Sequence, residues 1–480
     1  MASRSASLPE ATPTAVAAGA LGAAALIGGL MTVSVPAGIA VLLGACYAPL
    51  ALVNLRLGLA LWVPLTFLEG LPVFNAGGKA AGLVIALAWL GSARQVSPRL
   101  SAFVGRHRGT AAGLAGFIVW ITLSLAWAAS PSTAAADLWH WYVLGLIFLV
   151  LVTAVGDART VRMVLHALVV GAVLSVVIGG FYGGLSTASV DLQAETSGRV
   201  YGAAGDPNFL AAGLVPTMVI AAGLIAATRS WLMRSWLMRS WLLVALGVVT
   251  VGLAASESRG GVIAMVTTLF VALVFFRQRR AYVLLLLLLT LGLGGAWFAT
   301  TPGAWQRVTT FNDQGSGRST IWRIAVRVAE DHPVTGAGLA NFQVVSKDYV
   351  RRPGTLRYLA LVVDRPHVAH NLYLETLSDT GVVGLVLLML FMGGCLRAAW
   401  VAGMRFERAG DSELEALSRA VLVAGIAFMT AAVFISAGED KRLWILLALG
   451  PALRGVAARS AAVGVGRRPV VVARAPAGVA

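Results

Sequence analysis

Apolar runs of about 15 to 25 residues follow one another along nearly the whole chain, separated mostly by short polar turns. In hydrocarbon every backbone N–H and C=O has to be satisfied inside the protein, so each such run reads as a membrane-crossing α-helix. The expected fold is therefore an all-α polytopic membrane bundle, a single transmembrane domain over residues 1–480. Composition agrees: 58% of residues are hydrophobic and 12% charged, against about 25% charged in an ordinary soluble domain.

Hydropathy and charge place spans near 14–32, 36–53, 57–71, 78–93, 111–129, 138–155, 162–182, 208–228, 241–255, 260–276, 281–299, 369–396, 416–436 and 443–457. Several are short for a hydrocarbon core of about 30 Å, so the count stands at about 12 to 14. An even number puts both termini on one side, the cytoplasmic one. The first run follows a polar stretch containing Arg4 and continues into further spans, so it reads as a retained helix rather than a cleaved signal. Cys46 and Cys395 both lie in apolar runs and offer no disulfide framework.

A net charge of +16 invites a nucleic-acid partner, but the arginines are distributed otherwise. They cluster as Arg94, Arg99, Arg106 and Arg108; as Arg229, Arg234 and Arg239; as Arg277, Arg279 and Arg280; as Arg397, Arg405 and Arg408; and as Arg454, Arg459, Arg467 and Arg468. Assigning all of these to the cytoplasm gives a consistent alternation of spans, the positive-inside pattern. Much of the basicity is topology, and no nucleic-acid partner is expected. The pentapeptide RSWLM at 229–233 and 234–238 reads as part of a basic, tryptophan-bearing interfacial helix with no catalytic role.

The same threading leaves two substantial segments on the outer face. One spans 183–207 and holds Asp191, Glu195 and Arg199; the other, 300–368, is the longest connection in the chain. Long ordered connections are usually lids or binding loops. Within the second, Ile321, Ile324, Ala325 and Val328 recur at helical spacing, predicting an amphipathic helix from about Ser319 to Asp331, ended by Pro333 and Gly336. It is expected to lie across the outer mouth of the bundle.

His370-Asn371, nine further residues and Gly381-Val382-Val383-Gly384 place an ionisable side chain where this loop re-enters an apolar helix. Ionisable groups at such a position are costly and mark functional sites, although a local helix-capping histidine fits the same pattern. The outer arginines are Arg199, Arg259, Arg318, Arg323, Arg327, Arg351, Arg352, Arg357 and Arg365. Guanidinium groups bind phosphate bidentately, so this set points to an anionic, phosphate-bearing ligand. Arg259 stands out because it occupies a tight turn, followed by Gly260 and Gly261 at a helix start, which also favours anions. Gly205-Asp206-Pro207-Asn208 gives a second turn and helix start. His367 and His370 have a spacing open to metal ligation, but general-base chemistry is the better use of a neutral imidazole. Glu439 and Asp440 either orient a sugar or a basic partner or form an exposed ion-pair cluster.

The His370, Asn371, Gly381 and Gly384 pattern resembles that of the O-antigen ligases, within the superfamily that also holds O-antigen polymerases and related oligosaccharide ligases. The blocks SGRVYGAAGDPNFLA, SESRGG and GRSTIWRIAVRVAEDHPVTGAGLANF resemble that superfamily as well, over roughly residues 195 to 390. The resemblance implies a membrane-embedded glycosyltransferase of the GT-C type that needs no metal and no other cofactor. Its donor would be a glycan on undecaprenyl diphosphate, and its acceptor a sugar hydroxyl of lipid A–core in lipopolysaccharide biosynthesis. The reaction would take place on the periplasmic face of the bacterial inner membrane. Carried over by position, Arg199 and Arg259 match the arginines that hold the donor diphosphate, and His370 the base for the acceptor. Arg318, Trp322, Asn208 and Asn371 fall in the same blocks without a defined role. A polymerase extending the glycan on its carrier is the nearest alternative. A transporter of a lipid-linked solute is the alternative of another class; its ionisable residues would more often sit at mid-membrane.

Overall fold

The computed structural model describes residues 32, 34–181, 199–228, 233–276, 280–301, 303, 305, 318–350 and 368–466. Among them the chain is predominantly helical, with no strand, and ten helices are long and apolar enough to cross a membrane. Three shorter apolar helices, Val41–Val53, Leu55–Phe67 and Arg259–Phe275, accompany them. The expected span at 14–32, its last residue apart, lies outside the described residues.

The spans depart from expectation where the sequence carries a local conflict. The segment expected to cross at 57–71 is an α-helix, Leu55–Trp62, that passes at Val63-Pro64 into a 3₁₀ turn, Val63–Phe67. Proline has no N–H to continue the ladder. The 13 apolar residues reach only about 20 Å, too short for the full hydrocarbon thickness. The arginine-rich connection at 94–108 is itself a helix, Ala93–Arg106. It buries Val96 and Phe103 while Arg94 and Arg99 stay at its exposed or half-exposed face. The second copy of RSWLM, at 234–238, lies within the helix of the span, which begins at Met233 rather than near 241.

Pro207–Ala227, Ser412–Ala431 and Lys441–Gly466 form the centre of the bundle. Lipid tails are as apolar as leucine, so close backbone approach rather than water exclusion holds such helices together. A Cβ at Gly223 would overlap the Ala420 methyl, and one at Gly450 would overlap the Cys395 carbonyl oxygen. Phe148, Phe391 and Trp444 interlock beside these contacts, with ring centroids 4.9 Å and 5.2 Å from Phe391.

The two ends of the bundle differ. At one end Arg99 donates to the Thr153 carbonyl at 2.9 Å, Arg459 donates to the Gly156 carbonyl, and Arg162 pairs with Glu413. Arg106, Arg397 and Arg454 gather around His107 at the same end. The opposite end carries the long connection and is called the loop end below.

Candidate active site

Helix Leu372–Arg408 is broken at Gly381, whose φ of 68° and ψ of −173° lie far from helical values. The break is filled by the chain at 333–342. Ala337 and Gly338 donate their N–H groups to the Ser378 and Asp379 carbonyls at 2.9 and 2.8 Å, and Val382 donates to the Pro333 carbonyl at 2.8 Å. The Trp120 indole donates to the Thr380 carbonyl at 2.8 Å. Every backbone group named here that the break frees is thus satisfied within the protein, as a low-dielectric site requires. A side chain at Gly381 would overlap the Val334 carbonyl, and one at Gly384 the Thr380 side chain. The two glycines of the sequence pattern are therefore the joint that admits the loop.

Helix Arg318–Asp331 packs above this joint. It buries Ile321, Ile324, Ala325 and Val328 against Phe342, Tyr349, Val350 and Ala369, the face its sequence spacing indicates. Arg318 opens this helix, half-exposed, and Arg323 is exposed. Arg327 reaches the Tyr349 carbonyl at 3.0 Å. Trp322 leans the other way: its indole donates to the Ala369 carbonyl at 3.1 Å, and its ring lies 6.2 Å from that of Phe434.

His370 follows Ala369 directly. It is half-buried and adopts a left-handed φ of 48°, a conformation uncommon for a side-chain-bearing residue although histidine enters it more often than most. Asn371 caps helix Leu372–Arg408, its side-chain oxygen accepting from the Tyr373 and Leu374 N–H groups at 2.9 and 3.0 Å. Asn371 thus has a structural task, and capping falls to it, not to the His370 side chain.

Arg199 and Arg259, 60 residues apart in sequence, meet at one turn. Arg199 donates from Nε to the Ser256 carbonyl at 2.9 Å. Ser258 caps helix Arg259–Phe275, and its hydroxyl donates to the Asn208 side-chain oxygen at 2.9 Å. Asn208 stands one residue into Pro207–Ala227, behind the Asp206 cap. Glu257, with φ of 50°, gives this turn its left-handed step. Phe434 links the turn to the loop: a Cβ at Gly260 would press on its side chain, and its ring lies 6.2 Å from that of Trp322. A chain of contacts thus runs from Arg259 through Gly260, Phe434 and Trp322 to Ala369 and His370.

Beside this chain lies a cavity of about 190 Å³ that sequence reasoning did not anticipate, lined by Asp137, Glu375, Asp379 and Glu439 among apolar and neutral polar neighbours, Gln343, Thr376, Thr380 and Ser436 included. Asp379 accepts from the Ala340 and Phe342 N–H groups at 3.1 and 2.6 Å, so it holds the returning loop as well as lining the cavity. These carboxylates come from three separate parts of the chain; of them only Glu439 stood out in the sequence, as one of the acidic pair at 439–440. Burial, then the charge of Asp137 and a hydrogen bond with it, push the Glu439 carboxyl up to about 9. The expected exposed ion-pair cluster at 439–440 is not what forms. Asp440 pairs with Arg442 in the interior, and Lys441 pairs with Glu69. Burial raises Glu69 as well, against the opposing charge of Lys441. Glu439 instead faces His140 at 3.5 Å and Asp137, three groups whose ligand-type atoms lie within 4.8 Å of one another. They could hold a metal ion, although a partly exposed polar cluster of this kind also stands by itself.

Asp191, Glu195, Arg351, Arg352, Arg357, Arg365 and His367 lie outside the described residues.

An all-α, polytopic membrane bundle with arginines, a strained histidine and a carboxylate-lined cavity at its loop end is the class that fold and site define. The sequence model of the O-antigen ligase family matches residues 243–389, a stretch that contains Arg259, Trp322, His370 and both glycines of the joint. The resemblance read from the His370 pattern thus extends over that stretch. No curated protein matches the chain.

Proposed function

We propose that this protein is an O-antigen ligase, moving a glycan from an undecaprenyl-diphosphate carrier to a sugar hydroxyl of lipid A–core at the periplasmic face of the inner membrane. The coarser reading, glycosyl transfer of the ligase or polymerase type on lipid-linked substrates in a multi-pass membrane protein, is supported by the family match. The observation that carries the finer one is the continuous packing from the Arg199–Arg259 turn through Phe434 and Trp322 to His370.

In this reading Arg199 and Arg259 hold the donor diphosphate and stabilise the charge that grows on it as the glycosidic bond breaks. The diphosphate is already a good leaving group, so it needs charge neutralisation more than a proton. His370 takes the proton of the acceptor hydroxyl as its oxygen attacks the anomeric carbon. A single displacement of this kind inverts the anomeric configuration and needs no metal. In this reading Asp137, Glu375 and Glu439 hydrogen-bond sugar hydroxyls beside that centre, with the protonated Glu439 carboxyl donating.

The test uses the purified full chain with undecaprenyl-diphosphate glycan and lipid A–core, in the presence of a chelator, with products resolved on a gel. Glycan on lipid A–core, absent with His370→Ala, supports the ligase. Longer glycan on the carrier instead assigns the polymerase, and no covalent product in either form sinks glycosyl transfer altogether.

A further inference from the structure

At the end of the bundle opposite the loop, a cavity of about 390 Å³ opens between the start of helix Arg108–Leu123 and the middle of Leu372–Arg408. That is within the range of small-molecule pockets, about 300–1,000 Å³. Arg106, Arg108, Arg397 and Arg454 line it, and among the described residues no carboxylate does. His107 also lines it; the residue is 4% exposed, and its Nε2 is buried without a hydrogen-bond partner. Arg454 Nε is likewise buried without a partner. A buried polar atom left unsatisfied is uncommon and costs free energy unless a ligand or water meets it. Burial first, then the charges of Arg454, Arg106 and Arg405, hold the His107 imidazole down to about 4. Arg108, Gly109 and Thr110, the first turn of helix Arg108–Leu123, line the same space, and no side chain caps that turn.

We propose that this cavity binds the phosphate of an anionic membrane lipid. Arginines, an uncapped helix start and an unpartnered buried imidazole form a donor set suited to phosphate oxygens. The lipid source follows from the position. From the cavity toward mid-span along helix Leu372–Arg408, Leu390 and Val386 are 47% and 58% exposed, an apolar surface on which acyl chains can lie. Basic pockets between membrane helices are a recurrent form of anionic-lipid recognition. The site is remote from the loop end and does not rest on the function proposed for it.

Native mass spectrometry of the full chain in detergent, titrated with phosphatidylglycerol, cardiolipin or phosphatidylcholine, tests this. One anionic lipid should bind at least about tenfold more tightly than phosphatidylcholine, and Arg397→Gln or Arg454→Gln should weaken it by about tenfold or more. Arg408→Gln removes an equal charge from the exposed surface at the same end, and should leave binding within about twofold. Gly393→Leu tests the space itself: a Cβ there meets nothing within 4 Å, so the added side chain enters the cavity without a change of charge and should also weaken binding. Thermal unfolding of each variant reports the fold. Equal weakening by Arg408→Gln and Arg397→Gln, equal affinity for phosphatidylcholine, or undiminished binding by Gly393→Leu would overturn the site. Displacement of the lipid by an equal concentration of inorganic phosphate or diphosphate would overturn the lipid as its source.

Discussion

The indole nitrogen of Trp322 donates to the carbonyl of Ala369 at 3.1 Å, joining the loop helix to the residue immediately before His370. Because His370 is held at a φ of 48°, its side-chain direction depends on what anchors its neighbours. Asn371 anchors it on one side through the helix cap and Trp322 on the other.

Trp322→Phe removes that donor while keeping a ring against Phe434. The lost hydrogen bond should cost about 1 kcal/mol of stability. Glycan transfer should fall by roughly tenfold, since small misplacements of a base are expensive. A gel-based transfer assay beside thermal unfolding in detergent measures both. Wild-type turnover would show that Trp322 does not position His370.

His370→Gly separates strain from chemistry. Glycine adopts a left-handed φ freely, so unfolding should shift upward by up to about 1 kcal/mol. Transfer should nonetheless drop by at least about a hundredfold, the usual contribution of a general base. A stabilised variant that keeps its activity would leave His370 as a turn residue only.

Gly381→Ala should disrupt the joint. The new methyl meets the Val334 carbonyl at a φ that disfavours it, so a loss above about 2 kcal/mol is expected. Gly44→Ala, at a position with nothing within 4 Å, should change stability by no more than about 1 kcal/mol. Comparable melting temperatures for the two variants would contradict the packing described for 333–342.

Glu439 gives stability a pH dependence of known sign. Its carboxyl titrates near 9 when folded, above the ordinary value of 4.5. The folded state therefore holds a proton that the unfolded state releases, so this contribution is complete below 4.5 and is lost as pH rises toward 9. The melting temperature should decline across that interval, and Glu439→Gln should flatten the decline. An unchanged slope in the variant would remove Glu439 as its source.

Arg259→Gln should lower transfer by about a hundredfold or more, as expected for a group that acts on developing charge. Rates measured at saturating and limiting donor, with acceptor fixed, separate donor binding from turnover. Undiminished rates in both regimes would take Arg259 out of the donor site.

What the sequence determined by itself follows from local rules. Unbroken apolar runs impose helices because hydrocarbon offers the backbone no other partner. The spacing of Ile321, Ile324, Ala325 and Val328 gave the buried face of the loop helix, and the arginine clusters marked one end of the bundle. His370 and Arg259 could be singled out because charge beside a membrane span is conspicuous. Only the tertiary structure decided the rest. That Gly381 is a break into which residues 333–342 insert depends on backbone partners some forty residues away, which no local pattern encodes. The carboxylate-lined cavity assembles Asp137, Glu375, Asp379 and Glu439 from two helices and a turn distant in sequence, and of these only Glu439 was conspicuous, as part of an acidic pair beside a span. Membrane helices meet through shape and small residues rather than through hydrophobic patterning, so their neighbours, and the sites formed between them, appear only when the helices pack.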